Sequence, residues 1–442
     1  MSSIHTYSVL EYGLILPNEL RFPGEVSDLD KLFVPKEVFS PLLSYVKNEM
    51  SNRKLDGKVF RIEYRRGKEI IRAQSYVGVL QFSSGFQIEI LPKIVLSRVG
   101  SDMRDIRKAF AQLLSHTKDF RFLRTGAAHL QTANNYPLLE VFISAFLDEL
   151  QRVLNTGLQS DYENREGNLN AVRGKVLVTE NIKRNSFRPY KVYCQYSDYV
   201  LDIPANRVLK SALLRLNRLS FYHGNLVQIR RFLGILSQVH VSESIASDIH
   251  KSRALNRNFS HYELILQWAQ VFLSEQSFAN NAGSQISISI LFPMYKVFES
   301  YVAYLFKRYS LGYEVREQEQ DLFLASQNNE DKFNLRPDLV VYQNDMPVLI
   351  LDTKWKRISA HLGTSNYGIS EKDMYQLYVY GKKYSEEYNN TPKLFLLYPE
   401  SEDFNVALPT FNYDNSLKLS VQPFSFRTDS QQQIQYLLNL TI

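Results

Sequence analysis

Arg336-Pro337-Asp338-Leu339-Val340-Val341-Tyr342-Gln343-Asn344-Asp345-Met346-Pro347-Val348-Leu349-Ile350-Leu351-Asp352-Thr353-Lys354-Trp355 decides the reading of this chain. Leu339 to Tyr342 and Val348 to Leu351 are apolar runs, and Gln343, Asn344, Asp345 and Pro347 supply turn chemistry between them. The pattern predicts a β-hairpin whose strands are buried on both faces. Side chains alternate along a strand, so Asp352 and Lys354 share a face and Asp338 meets them from the neighbouring strand. Two carboxylates and an ammonium in an apolar sheet are costly unless they pair or hold a metal.

That set suits phosphodiester hydrolysis. Two carboxylates can hold Mg²⁺, a hard cation that takes oxygen ligands. The ion polarises a phosphate and acidifies a bound water. The lysine orients or helps deprotonate the water and stabilises developing negative charge. Pro337-Asp338 followed by Asp352-Thr353-Lys354 matches the PD-(x)n-(D/E)xK pattern of a large nuclease superfamily. A surface hairpin with an ion pair is the bland alternative, because the pattern also arises by chance.

The flanks weigh against that alternative. Pro293 to Tyr309 has helical apolar spacing at Val297, Tyr301, Tyr304 and Leu305, and carries Glu299, where this superfamily often places another acid. Tyr313 to Glu319 alternates as a strand does. Ser370 is placed to cap a helix over Glu371–Tyr388, in which Gln376 and Tyr380 share a face, and Leu394 to Tyr398 follows as a strand. Gln376 and Tyr380 resemble the QxxxY signature of the RecB-like branch, whose glutamine approaches the active site. Taken singly, Glu299 and the Gln376–Tyr380 pair read as ordinary helix surface. The order helix, three strands, helix, strand is that of the PD-(D/E)xK core.

Working outward, the 442 residues allow two or three domains. A hydrophobic share of 44% against 22% charged excludes a disordered chain, and the net charge of +6 permits nucleic-acid binding without requiring it. The single cysteine, Cys194, excludes an intramolecular disulfide and a cysteine-rich zinc site. The first residues lack signal-peptide architecture and no apolar run is long enough to span a membrane, so a cytoplasmic protein is expected. There is no G-x-x-x-x-G-K-[ST] loop: Gly174-Lys175 is followed by Val176, and Leu169 stands where the first glycine belongs. Any nucleotide hydrolysis must come from another chain.

The expected fold class is α/β, in three domains. Residues 1–100 are β-rich, with strands at Val59–Tyr64, Lys68–Gln74, Tyr76–Phe82 and Gln87–Leu91, and a helix at Pro35–Met50 that Pro41 could break. The basic residues here (Arg61, Arg65, Arg66, Lys68, Arg72, Lys93) suit a solvated sheet face, a DNA surface or a partner interface. Residues 101–285 are mainly helical, notably Pro137–Leu154, Pro204–Leu219, Leu226–Leu236 and Tyr262–Gln276. They include a polar, glycine-bearing stretch from Tyr162 to Lys175 and a short strand at Val176–Thr179. There Lys183, Arg184, Arg188 and Lys191 are interleaved with Phe187, Tyr190 and Tyr193, to contact nucleic acid or to dock a protein. Asn280 to Ser287 reads as a linker into residues 286–442, the PD-(D/E)xK domain, which closes with a strand near Leu417–Val421 and a helix at Ser430–Leu438.

Three places give the whole chain a resemblance to the McrC family, the nuclease subunit of McrBC-type restriction systems. They are Tyr76-Val-Gly-Val-Leu80 with Ile88-Glu-Ile-Leu-Pro-Lys-Ile94, then Val172-Arg-Gly-Lys-Val176 with Ala205-Asn-Arg-Val-Leu-Lys210, then the core from Phe298-Glu299 through Asp338 to Lys354. The resemblance implies a Mg²⁺-dependent endonuclease subunit with a McrB-like AAA+ GTPase hexamer as partner. It also implies double-stranded DNA, possibly methylated, as substrate, docking on the ring through the N-terminal part, and stimulation of GTP hydrolysis. In that reading Asp338, Asp352 and the Thr353 carbonyl hold the metal, Lys354 acts on the water, Glu299 supports the metal or its waters, and Gln376 orients Lys354 or a phosphate. Arg66, Arg165 and Arg173 are candidates for stimulating the partner. The alternatives are a regulatory subunit that activates the ring without cutting, and a stand-alone RecB-like repair nuclease.

Overall fold

In this computed structural model, residues 5–51, 59–93, 103–117, 136–253, 260–273, 286–426 and 428–440 are described. Residues 280–285 of the expected linker, and 118–135 of the expected helical stretch, lie outside them. The chain is mixed α/β and divides into two compact units. One joins residues 1–138 to residues 278–442, and the other comprises residues 139–277. The boundaries expected at 100 and 285 differ from this division. The reason is the strand Ile286–Pro293, whose first two residues fall within the expected linker. It pairs antiparallel with Tyr76–Phe82 and so ties the C-terminal third to the N-terminal sheet.

The first unit contains three larger sheets. In one, the order is His5–Leu10, Phe86–Leu91, Tyr76–Phe82, Ile286–Pro293, with the first pair parallel. In the second, Lys31–Val34, Leu14–Pro17, Lys68–Ala73 and Phe60–Arg65 run side by side under the helix Lys36–Ser51. Pro41 lies inside that helix, which continues through it. One apolar core runs through both sheets and the helix, from Val9 and Ile15 to Leu42, Phe60 and Ile88. Arg66 and Gly67 make the tight turn expected of them, both with left-handed φ.

Gly78 shows why the first signature has a glycine. Its φ is +144°, and a Cβ there would lie 2.0 Å from the Ile290 carbonyl oxygen, so only glycine lets the strand Ile286–Pro293 approach.

The third sheet carries the C-terminal core. Its order is Glu314–Glu317, Leu339–Gln343, Met346–Thr353, Lys393–Pro399, Lys418–Phe424, Phe411–Asn412. The first three strands are antiparallel and the next two additions parallel. Asn344 and Asp345 turn the central hairpin with φ of 52° and 60°. The helix Met294–Tyr309 precedes the sheet, with Pro293 as its N-cap rather than in its first turn. The helix Glu371–Tyr388 begins where expected, the Ser370 hydroxyl accepting from the Lys372 N–H. A small exposed hairpin, Phe323–Gln327 with Glu330–Asn334, is inserted before the central one.

The second unit packs the helices Leu138–Thr156, Pro204–Leu219, His223–Ile235, Ile245–Arg253 and Ser260–Leu273. Asn206, of the second signature, is fully buried: its amide donates to the Gln159 and Leu201 carbonyls and its oxygen accepts from the Tyr262 hydroxyl. Two stretches stand apart from these helices, and the strand expected at Val176–Thr179 is corrected. The polar stretch from Tyr162 is the strand Asp161–Leu169, paired with Val192–Val200. Val178 opens a helix, Val178–Asn185, leaving only Lys175–Val176 as a strand. Gly174 sits at φ +69°, where a Cβ would be 2.4 Å from the Gln195 carbonyl oxygen.

Candidate active site

Antiparallel pairing places Leu339 against Leu351. One step further, Asp338 stands against Asp352, at the end of the hairpin away from its turn. Asp338 is fixed by Thr353: its Oδ2 accepts from the Thr353 N–H at 2.7 Å and the hydroxyl at 2.8 Å. Asp352 is 1% exposed, and neither of its oxygens receives a well-directed hydrogen bond. Its one close partner is the Lys354 Nζ, 2.5 Å from Oδ2. The Lys354 N–H donates to the Leu397 carbonyl, which anchors the strand end on the parallel neighbour.

The long helix delivers the rest of the lysine's surroundings. Lys354 Nζ donates to the Gln376 Oε1 at 3.4 Å, and the Asp373 Oδ1 lies 4.0 Å away. The Gln376 amide donates to the Tyr380 hydroxyl, which donates to the Arg336 carbonyl. Glu299 accepts from the Gln318 amide, and the Gln318 oxygen accepts from the Arg336 guanidinium. Thus Asp338, Asp352, Thr353, Lys354, Gln376 and Glu299 all belong to one connected polar cluster.

Its electrostatics follow from burial. Desolvation first, then repulsion from Asp338, pushes the Asp352 carboxyl up to about 7 against the pull of Lys354. Burial likewise raises Asp338, while the Thr353 hydrogen bonds pull it back. Glu299 is raised by burial and by Asp338. Burial works against the charge on Lys354, but Asp352 outweighs it and the ammonium is held above its ordinary range.

Buried carboxylates beside a backbone carbonyl are the donor set of a hard divalent cation. The two Asp352 oxygens without directed donors are atoms such an ion satisfies. Among the described residues no group of three or more His, Cys, Asp or Glu is placed to hold a metal. Mg²⁺, which keeps most of its water and needs only one or two carboxylates, is an ion whose chemistry such a donor set suits.

Four participants escaped sequence reading. Gln318 bridges Glu299 and Arg336 from a left-handed backbone, φ 46°, and its N–H donates to the Asp338 carbonyl. A non-glycine residue in that region, next to polar chemistry, is a feature no pattern in the sequence displays. Asp373 also accepts from the Tyr398 hydroxyl at 3.3 Å. Its position one helical turn before Gln376 was the available signal. Arg336 stood in the opening stretch without a role. Trp355 donates its indole N–H to Glu11, 344 residues away in sequence.

The candidate stimulatory arginines all have partners within the chain. Arg66 lies 4.1 Å over the Phe22 ring. Arg165 pairs with Glu163 and Asp198. Arg173 pairs with Asp198 and stacks on Tyr196. In the basic and aromatic stretch Phe187 and Tyr190 are open to solvent, Phe187 at 98%, whereas Tyr193 is buried with Arg184 over its ring. No helix among the described residues is long and apolar enough to cross a membrane.

Comparison with known proteins bears on this geometry. The family model described as "McrBC 5-methylcytosine restriction system component" matches residues 71–399. No curated protein matches the chain. Among solved structures, a chain of the Thermococcus gammatolerans half-complex of McrB AAA+ hexamers with bound McrC superposes with a TM-score of 0.71. It is 16% identical, and the match covers 99% of this chain and 100% of that one. A chain of the cryo-EM structure of the McrBC complex from the same organism gives a TM-score of 0.51 at 18% identity, covering 71% and 89%. At these identities the likeness is one of fold.

Proposed function

The chain belongs to the McrBC 5-methylcytosine restriction system component family, and from that premise we propose that it is the subunit that cleaves DNA, by a PD-(D/E)xK nuclease site. The observation that carries this reading is the meeting of Asp338, Asp352 and Lys354 at one end of the central hairpin, with Gln376 against the lysine.

Asp338, Asp352 and the Thr353 carbonyl would hold Mg²⁺, with Glu299 beside them. When bound, the ion supplies Lewis acidity to the phosphate and acidity to a water. The chain's own residues do the positioning. Thr353 locks Asp338, so the two aspartates keep a fixed separation. Lys354, paired to Asp352 and donating to Gln376, presents its ammonium where charge develops on the attacked phosphate. Gln376 is itself fixed by Tyr380, whose hydroxyl is tied to the backbone of Arg336, so the lysine's direction is set by a chain of hydrogen bonds.

The partner in this reading is an AAA+ GTPase ring, because the fold neighbours are McrC bound to McrB hexamers. It would supply the nucleotide chemistry for which the sequence here has no phosphate loop. Docking through the N-terminal region, stimulation of GTP hydrolysis and preference for methylated DNA belong to the same proposal.

The test mixes the purified chain with Mg²⁺, GTP, the AAA+ partner and methylated or unmethylated duplex DNA. Double-strand breaks are expected only with partner, GTP and intact Lys354. Cleavage of bare DNA without the partner would replace this reading with a stand-alone repair nuclease. GTPase stimulation without cleavage by the wild-type chain would leave a regulatory subunit.

A further inference from the structure

A carboxylate far from the site in sequence is built into its back wall. Glu11 is fully buried, and no cation pairs with it among the described residues. Instead, its two oxygens face the Trp355 indole: Nε1 donates at 2.9 Å to Oε2 and 3.1 Å to Oε1. The Lys93 N–H donates to Oε1 at 2.9 Å. A buried ionisable side chain whose hydrogen bonds come from an indole and a backbone amide is expensive, and burial pushes the Glu11 carboxyl up to about 7 against those hydrogen bonds and the charges of Arg357 and Lys93.

The turn that presents it is stiff. The Glu11 N–H donates to the Leu91 carbonyl, Tyr12 follows at φ 63°, and its carbonyl accepts from Arg72. On the other side, Trp355 is 6% exposed, packed against Phe298 and Phe426, and adjoins Lys354 in the chain. Phe298 in turn adjoins Glu299. The N-terminal sheet thus reaches both sides of the acidic and basic cluster: through Glu11 at Trp355, next to Lys354, and through the strand Ile286–Pro293, which runs straight into the helix of Glu299.

We propose that Glu11 is a positioning residue for the reaction, fixing Lys354 through Trp355 and tying the N-terminal sheet to the catalytic strand. This rests on the reading of Lys354 as catalytic. Glu11 touches neither DNA nor metal. Its role is to hold the backbone on which the ammonium is mounted, and removal of such outer partners typically costs about 10- to 100-fold.

The test uses the complete cleavage reaction with the AAA+ partner. Glu11→Ala and Trp355→Phe are expected to lower the maximal cleavage rate about 10- to 100-fold, with KM for DNA within about twofold. The double variant should be no slower than the worse single one, because the two residues act as a unit. Glu11→Gln keeps an acceptor for the indole and should restore most of the rate. Should Glu11→Ala fail to fold, Trp355→Phe and Glu11→Gln carry the test. Wild-type rates in Trp355→Phe while Lys354→Ala is inactive would overturn the inference and leave the site reading intact. So would a loss confined to KM. Cleavage by Lys354→Ala would overturn the site reading itself.

Discussion

Lys354 is held by an anchor at its backbone, a carboxylate at 2.5 Å and an amide oxygen at 3.4 Å. Lys354→Ala should therefore lower cleavage at least about 10²- to 10³-fold, the usual cost of losing a charge-stabilising donor, and Asp352→Ala, which removes a proposed metal ligand, should cost at least as much, both with circular dichroism unchanged. Gln376→Ala should cost about 10- to 100-fold. Glu11 makes a separate prediction about stability. Its folded pKa, about 7, lies above the ordinary 4.5, so the folded state binds the extra proton between those values. The favourable contribution is complete below about pH 4.5 and is lost as pH rises through about 7. Wild-type thermal stability should fall across that window relative to Glu11→Gln, as thermal midpoints at a series of pH values would show; parallel midpoints would contradict it. The motif residues were readable because acids and a lysine are costly in an apolar hairpin. Gln318 was not, because its importance comes from a backbone angle, and Glu11 was not, because its partner lies at the far end of the chain.

Elements were legible where burial writes a pattern into the sequence, on one face of a helix or on both faces of a central hairpin. The helix Glu371–Tyr388 announced itself by its cap and its spacing, and the central hairpin by two apolar runs around Asn344-Asp345. The strand Asp161–Leu169 gave no such signal: six of its nine residues are exposed, so alternation has nothing to report. It is a strand because Val192–Val200 hydrogen-bonds along its whole length. The strand Ile286–Pro293 was masked by the helix that follows without a break. Close strand approach makes Gly78→Ala a sharp test at this scale. Both the φ of +144° and the 2.0 Å approach to Ile290 oppose a methyl group, and the loss should be on the order of 3 kcal/mol. Ser370→Ala, which removes only a cap, should cost about 1 kcal/mol. Urea unfolding of both variants would rank them.

For the whole molecule, composition and length indicated several domains but not their interleaving. A long-range pairing, Ile286–Pro293 with Tyr76–Phe82, is a tertiary fact that local periodicity does not encode. Expressed alone, residues 286–442 should aggregate, because that apolar strand would present an unpaired edge. Co-expression with residues 1–138 should recover soluble material, as size-exclusion chromatography would show; a soluble, monomeric 286–442 would contradict the pairing's importance. The same pairing orders events at the ribosome. The first sheet emerges early but waits for its last strand until the whole of residues 139–277 has been synthesised. Glu11 waits for its indole until Trp355 is made, and Lys354 then lacks its backbone anchor until Leu397 follows. A chain cut short by a stop codon or a stalled ribosome therefore carries the candidate site residues unassembled, or lacks them altogether.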